Sequence, residues 1–435
     1  MDNLFDNEFK KQPSKVRWYI GVICLAIATL FSGSPNLYPT FFDDMKSTLK
    51  ISDGVTTLML TGGVMLMYFT LPAGLFMDKY GATLTIFISA GITIVGYIVL
   101  IFWTKSSTAF IIFFLFMAFG SSTFFIAALQ IVLAKSSYSN RGVSASIVSG
   151  SLSLSFGLCM QIYSHIRIGK EPSNDPCNIF WGTRSVGIFV IGFFALFLPI
   201  GYFLTRPFHQ ESIELASKET SNTHRNKVIL TSFPLYILII TNFITVFDGM
   251  FVLSGGSTIW TYYGYGNGAE KYSICFSVTN CSCSILLSML LDYLIVHFKI
   301  TRARGFSIFW LIFGIIPILV GIVFTTSKSH IGLAIVLSML GIPFGFGLTH
   351  LPALTSEIYG ADKYGFAYGI VQIGAIAAST SALPIIRSLS KRALTIVFFV
   401  FTGFHIFISI IFFFFMKNKE VITTEVIKDS PLLTT

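Results

Sequence analysis

The chain has 435 residues, 54% of them hydrophobic and 11% charged, with a mean hydropathy of +0.76. That composition excludes a water-soluble globular domain, whose surface needs far more charge, and points to a lipid bilayer as the main solvent. The net charge of +9 is spread over short segments between apolar runs, so it reads as a signal for membrane orientation and not as a nucleic-acid surface.

Residues 1–16 are polar and mixed in charge. They lack the layout of a cleavable leader and run into a first apolar segment long enough to act as a start-transfer anchor. The expected spans are 17–42, 55–77, 82–103, 107–133, 143–166, 183–205, 229–257, 271–296, 303–324, 330–357, 364–387 and 392–416. As helices, each can cross about 30 Å of hydrocarbon. The runs are too long, and too uniformly apolar, for barrel strands. The expected organisation is an N-terminal segment 1–16, a first six-helix half 17–205, a polar linker 206–228, a second half 229–416 and a tail 417–435.

An even number of spans puts both termini on one face. Most of the 29 Lys and Arg fall on that face, among them Lys10, Lys11, Arg141, Arg302 and Arg304. The positive-inside rule makes it cytoplasmic. Arg387, Lys391 and Arg392, on the opposite face, run against the rule. The six Cys form no disulfide framework or metal set: five lie in apolar spans, and Cys281-x-Cys283 has no His or acidic residue at ligand spacing.

The two halves repeat. Ser32-Gly33-Ser34-Pro35 in span one corresponds to Ser254-Gly255-Gly256-Ser257 in span seven. Arg141-Gly142 before span five corresponds to Tyr364-Gly365 before span eleven, and Asp78 after span two to Asp292 late in span eight. The separation is roughly constant at about 220 residues, and helix breaks at matching places predict a site between the halves. Spans three, six and nine have no amide or charged residue in their interiors, and span twelve adds only His405. Polar groups facing lipid are costly, so every third helix is expected to be a support while the others line a wet interior.

The sharpest motif is Gly74-Leu75-Phe76-Met77-Asp78-Lys79-Tyr80-Gly81. Gly74 allows close helix approach, Gly81 frees the turn, and Asp78 can accept from helix-end amides or pair with a basic group. The segment resembles the cytoplasmic loop motif of the major facilitator superfamily, G-x-x-x-D-[RK]-x-G. Ala82 and Thr83 stand where that motif usually carries basic residues. The resemblance implies an all-α membrane protein of twelve transmembrane helices in two pseudo-symmetric halves, with Gly74, Asp78, Lys79 and Gly81 forming a gating loop. Met67 to Gly74, Gly120 to Phe125, Asn140-Arg141-Gly142 and Glu357 to Gly360 also resemble the nodulin-like and fungal monocarboxylate-transporter-like branch.

The interior polar residues are the candidate substrate or proton site: Asp248, His350, Gln130, Gln161, Asn280, Gln372 and Asn242. Asp248 is the one acid well inside an apolar span, where an unpaired charge is expensive, so it is a candidate for proton coupling or substrate contact. Pairing with helix-break amides near Gly255 is the alternative. His350 can donate, accept and titrate; a satisfied interior imidazole is the alternative. Arg167, near the outer end of span five, is a candidate for attracting an anion. The serines of span five read as small packing residues.

No catalytic motif, nucleotide loop, cofactor fingerprint or metal-binding His pair is present in the sequence. The expected function is facilitative or secondary active transport of a small organic solute, leaning to a monocarboxylate, by alternating access. A proton is a candidate partner, and a monomer is the expected working unit. The rivals are a neutral amino-acid facilitator of the same fold and a non-transporting membrane receptor. The expected location is the plasma membrane or a vacuolar or endosomal membrane; Asp429-Ser430-Pro431-Leu432-Leu433 resembles an acidic dileucine sorting signal.

Overall fold

A computed structural model describes residues 15–41, 50–102, 107–136, 140–165, 179–205, 222–256, 259–260, 269–326, 329–360, 363–388 and 391–415. Among these residues every regular element is helical, and eleven helices are long and apolar enough to cross a membrane. The region expected as span two is a pair of helices, Asp53–Tyr68 and Leu71–Tyr80, which meet at Phe69 and Thr70. Pro72, near the start of the second helix, has no amide to bond back along the chain, so a continuous helix is interrupted there.

The remaining spans are Lys15–Thr29 with the 3-10 turn Ser34–Phe41, Ala82–Phe102, Ser107–Lys135, Arg141–His165, Ile179–Thr205, Phe233–Leu253, Ala269–Phe298, Arg302–Thr326, His330–Tyr359, Tyr364–Ser388 and Lys391–Phe415. Span nine bends at Gly314 and span ten at Leu340. The expected span 229–257 divides instead into a short helix Asn222–Thr231 and the span proper, because Ser232 and Pro234 restart the helix. The breaks expected in spans one and seven are both present, after Thr29 and after Leu253. In span one Ser34 Oγ, in the break, accepts from the Tyr97 hydroxyl of span three at 2.7 Å.

Within the first half, span one packs on span six and span three on span four; within the second, span seven packs on span eleven and span nine on span twelve. The halves meet where span five packs on span eight and the second part of span two on span eleven. Span five suits this contact. The hydroxyls of Ser146, Ser149, Ser151 and Ser153 donate to carbonyls of their own helix, so they pack as small, self-satisfied residues. At Gly157 the approach is closer still, and its amide donates to Ser277 Oγ of span eight at 2.8 Å. The outward surface is apolar, as at Phe87, Leu196 and Phe407 on spans three, six and twelve. Span eight shares this character on one face, with Leu286 63% exposed, although it also reaches the interior.

Candidate functional site

A cavity of about 50 Å³ lies between the halves, midway along the helices. Its lining comes from span one (Ser32, Asn36), span two (Met67, Tyr68), span four (Ser121, Ser122, Phe125, Ile126), span five (Leu152, Ser153, Phe156), span seven (Leu253), span eight (Phe276, Asn280), span ten (Phe344, Leu348) and span eleven (Gln372). None of these residues belongs to spans three, six, nine or twelve, which matches the expected division between lining and support helices. A water molecule needs about 10–15 Å³ on this measure, so the space as it stands holds a few waters.

The lining is mostly apolar, with hydroxyl and amide groups from both halves and no charged residue among its described residues. Ser32, Ser122 and Ser153 donate to carbonyls of their own helices. Asn36 Oδ1, Asn280 Oδ1 and Ser121 Oγ are buried without a hydrogen-bond partner. Gln372 is held from behind: Asn242 of span seven donates to its Oε1 at 3.3 Å and to the Val371 carbonyl at 3.0 Å. Tyr68 of the first half approaches Met250 Sδ of the second at 4.0 Å.

On the face shared by the termini, two carboxylates tie the halves together. Asp78, at the end of span two, accepts from the backbone amides of Gly365 at 2.9 Å and Phe366 at 2.7 Å, at the start of span eleven. Asp292, late in span eight, accepts from the Val143 amide at 2.8 Å, at the start of span five. Both links put a negative group on the positive end of a helix in the opposite half. The contacts are close enough to require glycine. A Cβ on Gly74 would collide with the backbone of Gly365, and one on Gly142 would meet Arg302 and Asp292 at 2.7 Å. Gly81 and Gly360 turn the chain at φ 89° and 88°, a region that favours glycine.

Asp292 also belongs to a buried set within its own half. Arg302, fully buried at the start of span nine, donates to Asp292 at 2.7 Å and to Glu357 of span ten at 2.8 Å. A cation enclosed this completely persists only with such partners.

Two candidate groups lie behind the cavity wall. Asp248 pairs with His405 of span twelve at 2.9 Å, both buried, and the His405 ring stacks on Trp310 of span nine at 4.7 Å. The expected alternative partner near Gly255 is thus replaced by a histidine from a span read as mere support. His350 lies 3.0 Å from Ser288 Oγ and packs on Phe346. Of the expected residues, then, the cavity brings together Asn280 and Gln372, with Asn242 supporting the latter; Asp248, His350, Gln130 and Gln161 are not among its lining residues. Arg167 lies outside the described residues, as does the tail with Asp429 to Leu433. Asn36, Ser121 and the Arg302 set were missed. Asn36 directly follows the Ser-Gly-Ser-Pro break, and that position was its available signal.

Comparison with known proteins agrees with this geometry. A family model described as Major Facilitator Superfamily matches residues 21–384. No curated protein matches the sequence. Among solved structures, the human organic anion transporter MFSD10 (TETRAN) is similar at a TM-score of 0.66 and 14% identity, over 92% of this chain and 100% of that one. The proton:xylose symporter XylE bound to 6-bromo-6-deoxy-D-glucose is similar at 0.67 and 12%, over 92% and 96%. XylE from E. coli in a partially occluded inward-open conformation is similar at 0.66 and 14%, over 94% and 99%. At these identities the likeness is one of fold.

Proposed function

The chain belongs to the Major Facilitator Superfamily, and from that premise we propose that it moves a small organic solute across a membrane by alternating access. The observation that carries this reading is the central cavity, lined from both halves and backed on the termini face by the two carboxylate links. Rocking of the halves breaks those links and opens the cavity to the termini face; re-forming them closes it. Gly74, Asp78, Lys79 and Gly81 act as the gating loop of the first half, with Asp78 the working group. No step of this cycle calls on enzymatic chemistry.

Transport is facilitative, or coupled to a proton. Asp248 with His405 is the candidate proton-handling pair, since gain or loss of a proton there changes the charge of a fully enclosed site that tethers span seven. Both termini face the cytoplasm, in the plasma membrane or a vacuolar or endosomal membrane, and the monomer holds a complete cavity. A monocarboxylate fits this cavity only as its uncharged acid, because no cation is among the described lining residues.

Vesicles carrying the purified chain, loaded with a soluble cell extract and followed by mass spectrometry at two pH values, test the reading. Redistribution of at least one solute relative to empty vesicles is the expected result. Ligand binding without any redistribution would replace the transporter by a receptor.

A further inference from the structure

The cavity's chemistry restricts its occupant, granted the transport reading on which this step rests. We infer that the solute is small, uncharged and rich in hydrogen-bond donors, of the polyol or sugar kind, and that Asn36 and Asn280 clamp it from opposite halves.

Three observations converge on this. The first is charge. A carboxylate enclosed without a cation, or an ammonium enclosed without an acid, loses its hydration with nothing in return. Among the described lining residues there is neither.

The second is the balance of donors and acceptors. Asn36, Asn280 and Ser121 line one small cavity, and their side-chain oxygens are buried without partners, that of Asn280 against Gly345 of span ten. Buried polar atoms are nearly always satisfied, and three orphans in one place mark where an incoming group bonds. The hydroxyl protons of Ser32, Ser122 and Ser153 are committed to their own helices, which leaves their oxygens free to accept. The polar part of the wall therefore offers acceptors beside the amide N–H groups of Asn36, Asn280 and Gln372, and its complement is a molecule whose groups both donate and accept, as hydroxyls do.

The third is the apolar part of the wall. Phe125 and Phe156 from the first half and Phe276 and Phe344 from the second enclose the same space. Aromatic faces are electronegative, so they repel an anion and accept the C–H face of a polyhydroxyl compound. They would also accept a cation, and that makes an organic ammonium the competitor to exclude.

Asn36 sits just past the break in span one, and Asn280 lies on span eight, which packs against span five of the first half. A solute bonded to both amides joins the halves at mid-membrane, and its departure removes that joint. Substrate selection and closure thus share two residues. Gln372, anchored by Asn242, adds a third amide from span eleven.

The test uses vesicles carrying the full chain, given an equimolar mixture of glycerol, xylitol, glucose, lactate, pyruvate, alanine and choline together with a soluble cell extract. Internal contents are compared with those of protein-free vesicles by mass spectrometry. The expected result is that the solutes accumulating by a saturable route are uncharged at neutral pH. In that case Asn36→Leu and Asn280→Leu each lower the flux about tenfold, with unchanged thermal unfolding, and Asn280→Gln restores part of it. Movement confined to lactate, pyruvate, alanine, choline or other ions overturns this inference and leaves the transporter reading intact. Movement of nothing overturns both. Uncharged flux that is indifferent to both leucine variants removes the clamp.

Discussion

The two carboxylate links on the termini face are alike in geometry, and one of them is built into a buried ion cluster. Asp78 and Asp292 each accept from backbone amides at the start of a helix in the other half. Asp292 is also fastened within its own half by Arg302, which in turn holds Glu357. The first half has no basic residue between Gly81 and Ile88, and Lys79 lies over the Tyr80 ring at 5.0 Å. One design thus serves two purposes. The Asp292 link is part of the scaffold that holds spans eight, nine and ten, and the two Asp78 bonds to Gly365 and Phe366 run between the halves. Replacing the first should damage the fold, and replacing the second should change how often the halves part.

The largest expected effect is at Arg302. Arg302→Met leaves two buried carboxylates facing each other and should lower unfolding stability by about 3–5 kcal/mol, read by thermal unfolding of the purified chain. Lys79→Met, the nearest counterpart in the first half, should change it by less than about 0.5 kcal/mol. Similar losses at both positions would erase the contrast.

The next effect concerns the other buried pair of the second half. His405→Leu strands Asp248 and should cost about 3 kcal/mol, while the double replacement Asp248→Asn/His405→Leu should recover more than about 1 kcal/mol. Additive losses in that cycle would mean that the two side chains act independently.

Asp78→Asn is smaller again and differs in kind. Losing two charge-assisted bonds, at about 1.5–3 kcal/mol for such a group, should shift the open–closed balance about 10- to 100-fold and lower unfolding stability by no more than that same loss. Asp292→Asn should move both quantities, and equal behaviour of the two variants would contradict the division of roles. The smallest effect is at the turns. Gly81→Ala and Gly360→Ala should each cost about 1–2 kcal/mol of strain, similar to one another because their φ angles are 89° and 88°.

Much of this arrangement was legible in the sequence because it is written in local terms. Apolar runs long enough to span a bilayer fixed the number of helices, and the absence of amides and charges from spans three, six and nine separated support from lining. The Gly74 to Gly81 motif located a turn, and the Ser-Gly clusters located two breaks. What stayed hidden depends on contacts between distant positions. Asp78 and Gly365 are joined only by tertiary packing, and the repeat showed that Asp78 resembles Asp292 without showing that each reaches into the other half. Asp248 stood out as a buried acid, but its partner His405 lies on a helix that carries no other amide or charged residue in its interior. Asn36 was passed over because a polar residue after a helix break reads as a loop, and only the cavity reveals it as lining.

Alternating access predicts that the separation of the two halves on the termini face changes when the Asp78 link is removed. Spin labels placed at Tyr80 and Phe298, both exposed at the ends of spans two and eight, report it by pulsed distance measurement on the full-length chain in lipid nanodiscs. Asp78→Asn is expected to add a longer-distance population to the distribution of the labelled parent. An identical distribution in parent and variant would show that the Asp78 link does not hold the halves closed.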